Sequence, residues 1–162
     1  MIFKLISLRP QNVCFGHAIS LIYPLNSAEI LKIQLDCDAN FKRSPFELLP
    51  KKWQVQLNLR EAPGSGYKHF NFDHITDYLT YEWPSNVRFI HVYINFENHS
   101  HIFTIHKAFN AYRVIDINNE NMGFYPDKES LFEPLKQLIE FHQTQGSGTP
   151  TYFRAFWYER IS

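Results

Sequence analysis

Two stretches of this chain, far apart in sequence, hold residue types that can work together as a nucleophile and its base. Cys14 lies in "NVCFGHA", and "HSHIFTIHKAFNAYRVIDIN", residues 99–118, carries histidines with Asp116 close behind. A thiol attacks carbonyl carbon as its thiolate, a form promoted by a neighbouring imidazole and by the positive end of a helix. Cys14 follows the polar break "RPQN" and opens an apolar segment, so a helix there puts the sulfur in its first turn. Cys37 has no such setting. The base, in turn, needs a carboxylate to hold it. On one strand His101, Phe103 and Ile105 share a face, and on the next Tyr112, Val114 and Asp116 do. A turn centred on Ala108 and Phe109 sets position 101 directly opposite 116. A turn one residue later shifts the pairing by two positions, and either register lets imidazole and carboxylate approach. His99, two residues earlier on the same face, is the rival base, and His17, one helical turn after Cys14, reads as a polar helix residue. Taken singly, a free cysteine is a core residue, a strand histidine a satisfied polar group and an aspartate a turn former. Their value is joint.

The elements around these residues follow from periodicity and punctuation. "MIFKLISL" reads as a short strand or extended arm, and "CFGHAISLIYPL" as a helix. Asn26 stands three residues ahead of Glu29, the spacing of a capping box, so a second helix is expected through "AEILKIQLDCDANF". Ser44, Pro45 and Glu47 satisfy the first positions of a further helix that Pro50 keeps short. "EAPGSGY", residues 61–67, is a loop. "FDHITDYLTYEW" is amphipathic, with Ile75, Tyr78, Leu79 and Trp83 inward and Pro84 as the stop. Three consecutive strands, "VRFIHVYINF", "HIFTIHKA" and "YRVIDIN", make an antiparallel meander. A helix capped by Asp127 follows, with Leu131, Leu135, Leu138 and Ile139 on one stripe, ended by "QGSGTP". The final "TYFRAFWYERI" is another strand returning to the sheet. Helices first and antiparallel strands afterwards define an α+β fold with segregated layers.

A chain of 162 residues fits one domain, spanning 1–162, with a single substantial core. Lys plus Arg and Asp plus Glu both number 16, so no global field draws the chain to nucleic acid or to an anionic membrane. Aromatic residues make up 17% of the sequence, which favours strands over disorder. The apolar part of "MIFKLISLRPQNV" is too short and interrupted to span a membrane and lacks a small-residue cleavage site, so no classical secretion signal is expected. Cys14 and Cys37 are the only cysteines and neither has a CxxC partner, so both are expected as thiols. No metal or cofactor is expected. His99, His101 and His106 invite a zinc reading, but 101 and 106 point to opposite faces of a strand and no cysteine or carboxylate cluster completes a tetrahedral set. A nucleic-acid platform on "TYFRAFWYERI" is disfavoured by the neutral charge.

"NVCFGHA" near the start, "HIFTIHKAFNAYRVIDINNENMGFY" late, and a helix and strand afterwards resemble the papain-fold bacterial effector hydrolases of the YopT/AvrPphB type. The OspI-type glutamine deamidases are similar in the same order of residues. "INNENMGFY" carries extra residues before Gly123 compared with the family's aspartate motif. The resemblance implies a papain-like fold with Cys14 as nucleophile, His101 as general base and Asp116 as orienting group. Gln11 or Asn12 would then supply the oxyanion donor beside the nucleophile's own amide. It implies a thiol protease or protein glutamine deamidase, delivered by a specialised secretion system to act on a host protein. An acyl or ubiquitin transferase using the same thiol is a further possibility. The rival from another class is a non-catalytic binding module, such as an immunity or inhibitor protein, using the aromatic sheet against a partner. A hydrolase has one reactive thiol of two; a binding module has two inert ones.

Overall fold

A computed structural model describes residues 13–43, 48–63, 65–116 and 123–161. They fall into two compact units, one of residues up to Ala62 together with the stretch from Tyr158, the other of Pro63–Trp157. In chain order the first unit supplies helices α1 (Cys14–Ser20), α2 (Ser27–Arg43) and α3 (Lys51–Leu57) and strand β1 (Leu59–Glu61). The second supplies β2 (Lys68–His69), α4 (Phe72–Tyr81), β3 (Phe89–Phe96), β4 (Ser100–Lys107), β5 (Tyr112–Ile115) and β6 (Phe124–Tyr125). A 3₁₀ turn at Glu129–Leu131 leads into α5 (Phe132–His142), a π turn at Gln143–Ser147 and β7 (Pro150–Phe156). The chain then re-enters the first unit as β8 (Tyr158–Arg160). The opening arm "MIFKLISL" lies outside the described residues.

In the first unit the capping box is present as a reciprocal pair. Glu29 N donates to Asn26 Oδ1 at 2.8 Å and Asn26 N donates to Glu29 Oε1 at 3.1 Å, satisfying two amides that the helix start would orphan. The start expected at Ser44, Pro45 and Glu47 lies outside the described residues. Pro50 occupies the N-cap position of α3, with φ −57° and ψ 147°, and the helix runs from Lys51. Proline suits this entry because its fixed φ and missing amide cost nothing there. Asn58 closes α3 in the left-handed conformation, φ 56°. Trp53 Nε1 donates to Asp36 Oδ2 at 2.8 Å and so ties α3 to α2, and that bond together with Lys52 holds the Asp36 carboxyl below its usual range. β1 pairs antiparallel with β8.

α1 crosses α2 closely. A Cβ on Gly16 would stand 2.3 Å from the Ile30 carbonyl oxygen, so only glycine lets the two backbones approach.

The second unit is a six-stranded sheet in the order β2-β7-β3-β4-β5-β6, every pairing antiparallel. The meander is β3-β4-β5 as expected. The final stretch is two strands, since Trp157 separates β7, inserted beside β3, from β8. α4 buries Ile75, Tyr78 and Leu79, and Trp83, just beyond it, donates from Nε1 to Val87 O at 2.7 Å. Leu131, Leu135, Leu138 and Ile139 of the second stripe join the same core, with Ile90, Ile94, Ile105 and Phe153 from the sheet. Each such aliphatic side chain contributes about 1.5–3 kcal/mol on burial. Asp127 accepts from Ser130 N at 2.8 Å in the turn just ahead, while the cap positions themselves are Lys128 for the 3₁₀ turn and Leu131 for α5, a correction to the cap expected at Asp127.

Two predictions follow from this packing. Gly16→Ala should destabilise the chain by about 1–3 kcal/mol in urea unfolding, because the methyl meets backbone. An uncrowded helical glycine would instead gain about 1 kcal/mol from the same change. The second concerns His91 of β3, wholly buried and opposite Thr104, whose Oγ1 is 2.8 Å from its Nδ1. Burial pushes its pKa down to about 3. The unfolded chain binds the proton first, so stability present above pH 6.5 is lost as pH falls toward the folded value. From pH 7 to pH 5 the loss from this residue should be about 2 kcal/mol, and His91→Asn should remove that part of the pH dependence.

Candidate functional site

His101 sits at the second position of β4 and Asp116 directly after β5. The register between the strands, with Thr104 opposite Ile115 and His106 opposite Arg113, is the later of the two turns foreseen. Ala108 N donates to Ala111 O at 2.8 Å to close that turn. Continued outward, the pairing sets Asp116 opposite Phe103, so His101 lies diagonal to it on the same face, a separation that two medium-length side chains bridge. Asp116 Oδ1 is 2.5 Å from His101 Nε2, and both side chains are almost wholly buried, at 1% and 0% exposed. An ionised carboxylate only accepts, which puts the proton on Nε2 and leaves Nδ1 as the basic nitrogen. The second carboxylate oxygen, Oδ2, is buried without a partner among the described residues.

No hydrogen bond joins His99 to a carboxylate among the described residues; its Nδ1 lies 3.4 Å from Ser147 Oγ. His106 points to the other face of β4 and stacks on Phe89, ring centroids 4.4 Å apart.

Sequence reasoning missed His142. It ends α5, one turn beyond Leu138 on the buried stripe, and that i, i+4 spacing was the signal that it points inward. Its ring lies on the ring of His101, centroids 4.1 Å apart and tilted by 37°, and it also meets Phe96, His99 and Phe141. Burial, with His101 beside it, pushes its pKa down to about 4, so the ring is neutral at pH 7. Its Nε2 is buried and has no hydrogen-bond partner among the described residues. Such an unsatisfied nitrogen costs about 1–3 kcal/mol, which a phenylalanine would avoid.

In the first unit Cys14 is the first residue of α1, buried and outside any disulfide. Val13 occupies the N-cap position and supplies no side-chain bond, so the cap comes from another helix. Gln34 Oε1 of α2 accepts from Phe15 N at 2.8 Å and Gly16 N at 3.0 Å, and Gln34 Nε2 donates to Asp38 Oδ1 at 3.0 Å, which fixes the amide's orientation. Two of the first-turn donors are thus satisfied in trans. Gln34 was not picked out from sequence, although it follows Ile30 by one turn on the face that meets α1. Cys37 is also a buried thiol, and burial, reinforced by Asp38 and Asp36, raises its pKa strongly. His17 lies in the last turn of α1. Gln11 and Asn12, the two oxyanion candidates, lie outside the described residues.

Elsewhere in the second unit, a cleft of about 420 Å³ runs along α4 and the start of α5, lined by residues that include Asp73, Asp77, Lys128 and Phe132. It contains neither His101 nor Asp116. No helix among the described residues is long and apolar enough to cross a membrane.

No protein-family model matches the chain, and no curated protein does. Among solved structures it is similar to the crystal structure of the Pseudomonas avirulence protein AvrPphB, with a TM-score of 0.63 over 91% of this chain and 92% of that one, at 10% sequence identity. Helices first, an antiparallel sheet after them, a cysteine opening a helix and a histidine–aspartate pair on neighbouring strands together give this chain an α+β, papain-like fold.

Proposed function

We propose that this chain is a cysteine hydrolase of papain-like fold, with Cys14 as nucleophile, His101 as general base and acid, and Asp116 as the group that orients it. The observation that carries this reading is the buried hydrogen bond between His101 Nε2 and Asp116 Oδ1, 2.5 Å long, on a strand pair of the expected register. A carboxylate behind an imidazole fixes its tautomer and stabilises the imidazolium that forms when the ring takes a proton. Cys14 at the first position of α1 supports the other half, since a helix start favours the thiolate.

In the reaction so assigned, the Cys14 thiolate attacks a carbonyl carbon, a C–S bond forms and the C–N bond breaks as His101 Nδ1 protonates the departing nitrogen. Water then attacks the thioester, giving its proton to His101, and the acid leaves as the thiol is restored. If the departing nitrogen belongs to a peptide the reaction is proteolysis; if it leaves as ammonia from a glutamine side chain, it is deamidation. The substrate is a protein. The similarity in fold to an avirulence protein supports a bacterial effector delivered into a host cell, with the host protein as target.

The test is competitive alkylation by iodoacetamide read by mass spectrometry, with Cys37 as internal control. Cys14 should react at least ten-fold faster than Cys37, and His101→Ala should abolish most of that advantage. Two similarly inert thiols would sink the hydrolase and leave a protein-binding module. Asp116→Asn should keep the fold yet cut turnover of a cleaved or deamidated substrate by about 10²–10⁴-fold, mainly in kcat. An unchanged kcat would remove Asp116 from the mechanism.

A further inference from the structure

Three imidazoles converge beside the histidine–aspartate pair, and the hydrolase chemistry uses only one of them. The ligand nitrogens of His99, His101 and His142 all lie within 4.8 Å of one another, and all three residues belong to the second unit. A tetrahedral ion bound at about 2.0–2.1 Å needs its donor nitrogens about 3.3 Å apart. The rings must close that difference by rotation, for which the exposed His99 has the most room, His101 and His142 being buried. Parallel stacked rings could not aim their in-plane lone pairs at one point; these two are tilted by 37°.

Each residue also carries a feature that a purely structural role leaves unexplained. His142 presents an Nε2 that is buried and unsatisfied among the described residues, on a helix stripe where a carbon side chain would pack without loss. His101 gives its Nε2 proton to Asp116, the outer carboxylate that metal-binding histidines commonly have, so its ligand atom is Nδ1. His99 stands at the exposed rim, where an ion would enter.

We propose that His99, His101 and His142 form a binding site for a divalent first-row metal ion, Zn²⁺ above all, whose occupancy takes His101 away from the thiol and holds the hydrolase off. Three imidazoles without thiolate suit Zn²⁺, Cu²⁺ or Ni²⁺, and Zn²⁺ alone among them imposes no d-electron geometry on a set that must close by side-chain rotation. Water fills the fourth position. The site stands on the three histidines; the switching rests on the reading of His101 as the base of Cys14.

The experiment titrates Co²⁺, followed by its visible absorption, and Zn²⁺, followed by calorimetry, into the tag-free full chain carrying Cys14→Ser, which removes thiolate coordination. One equivalent should bind. His99→Asn and His142→Phe should each weaken binding at least ten-fold, and His106→Asn should not. Absence of saturable binding, or binding indifferent to both substitutions, overturns the site; should His142→Phe fail to fold by circular dichroism, the exposed His99→Asn decides. In the chain with Cys14 intact, Zn²⁺ should slow iodoacetamide alkylation of Cys14 at least ten-fold, a chelator should reverse it, and the slowing, relative to each chain's own metal-free rate, should vanish in His99→Asn. Stoichiometric binding without slowing overturns the switch. A Cys14 with no rate advantage before metal is added overturns the hydrolase reading instead, whatever the titration of the Cys14→Ser chain shows.

Discussion

The pairing of β4 with β5 is the constraint on which the candidate site depends. Side chains alternate along a strand, so slipping this register by one residue would turn Asp116 to the opposite face of the sheet from His101. Burying an ionisable pair costs several kcal/mol of hydration, which one hydrogen bond offsets only if its geometry is held by everything around it. β4 is well placed to hold it. It lies inside the sheet between β3 and β5, β3 is flanked on its other side by β7, and the short turn from Ala108 to Ala111 leaves the two strands no slack. The helix layer reaches the same point through α5, whose final residue, His142, rests its ring on the ring of His101.

The cysteine is held by a different device. α1 has only seven residues, too short to be stable by its own propensity, and its N-cap residue is an apolar valine. What holds it is α2, through the Gln34 carboxamide on the amides of Phe15 and Gly16 and through the close backbone approach at Gly16. A neutral amide in that position satisfies donors without placing a negative charge near the sulfur.

Elements with a strong periodic signal were legible from the residues alone. The capping box at Asn26 and Glu29, the α4 stripe, the three-strand meander and the apolar stripe of α5 are all present, because each rests on local chemistry repeated over several residues. Short strands such as β2 and β6 were missed for the opposite reason: two residues carry no period, and only their neighbours across the sheet define them. Of the candidate site, the approach of His101 and Asp116 was legible because a hairpin makes long-range contact out of short-range sequence. His142 and Gln34 were not, since each acts across a distance that only the packed helices set.

The return of the chain as β8 has a bearing on how the molecule is made. In sequence, β1 lies before the second unit and β8 after it, and Arg60 meets Glu159 across 99 positions. Most pairings of the large sheet, including β3 with β4 and β4 with β5, join neighbouring segments and close early. The ribbon of the first unit needs residues 158–160, so among the described residues it is the last pairing a growing chain can form, after every strand of the large sheet has been made.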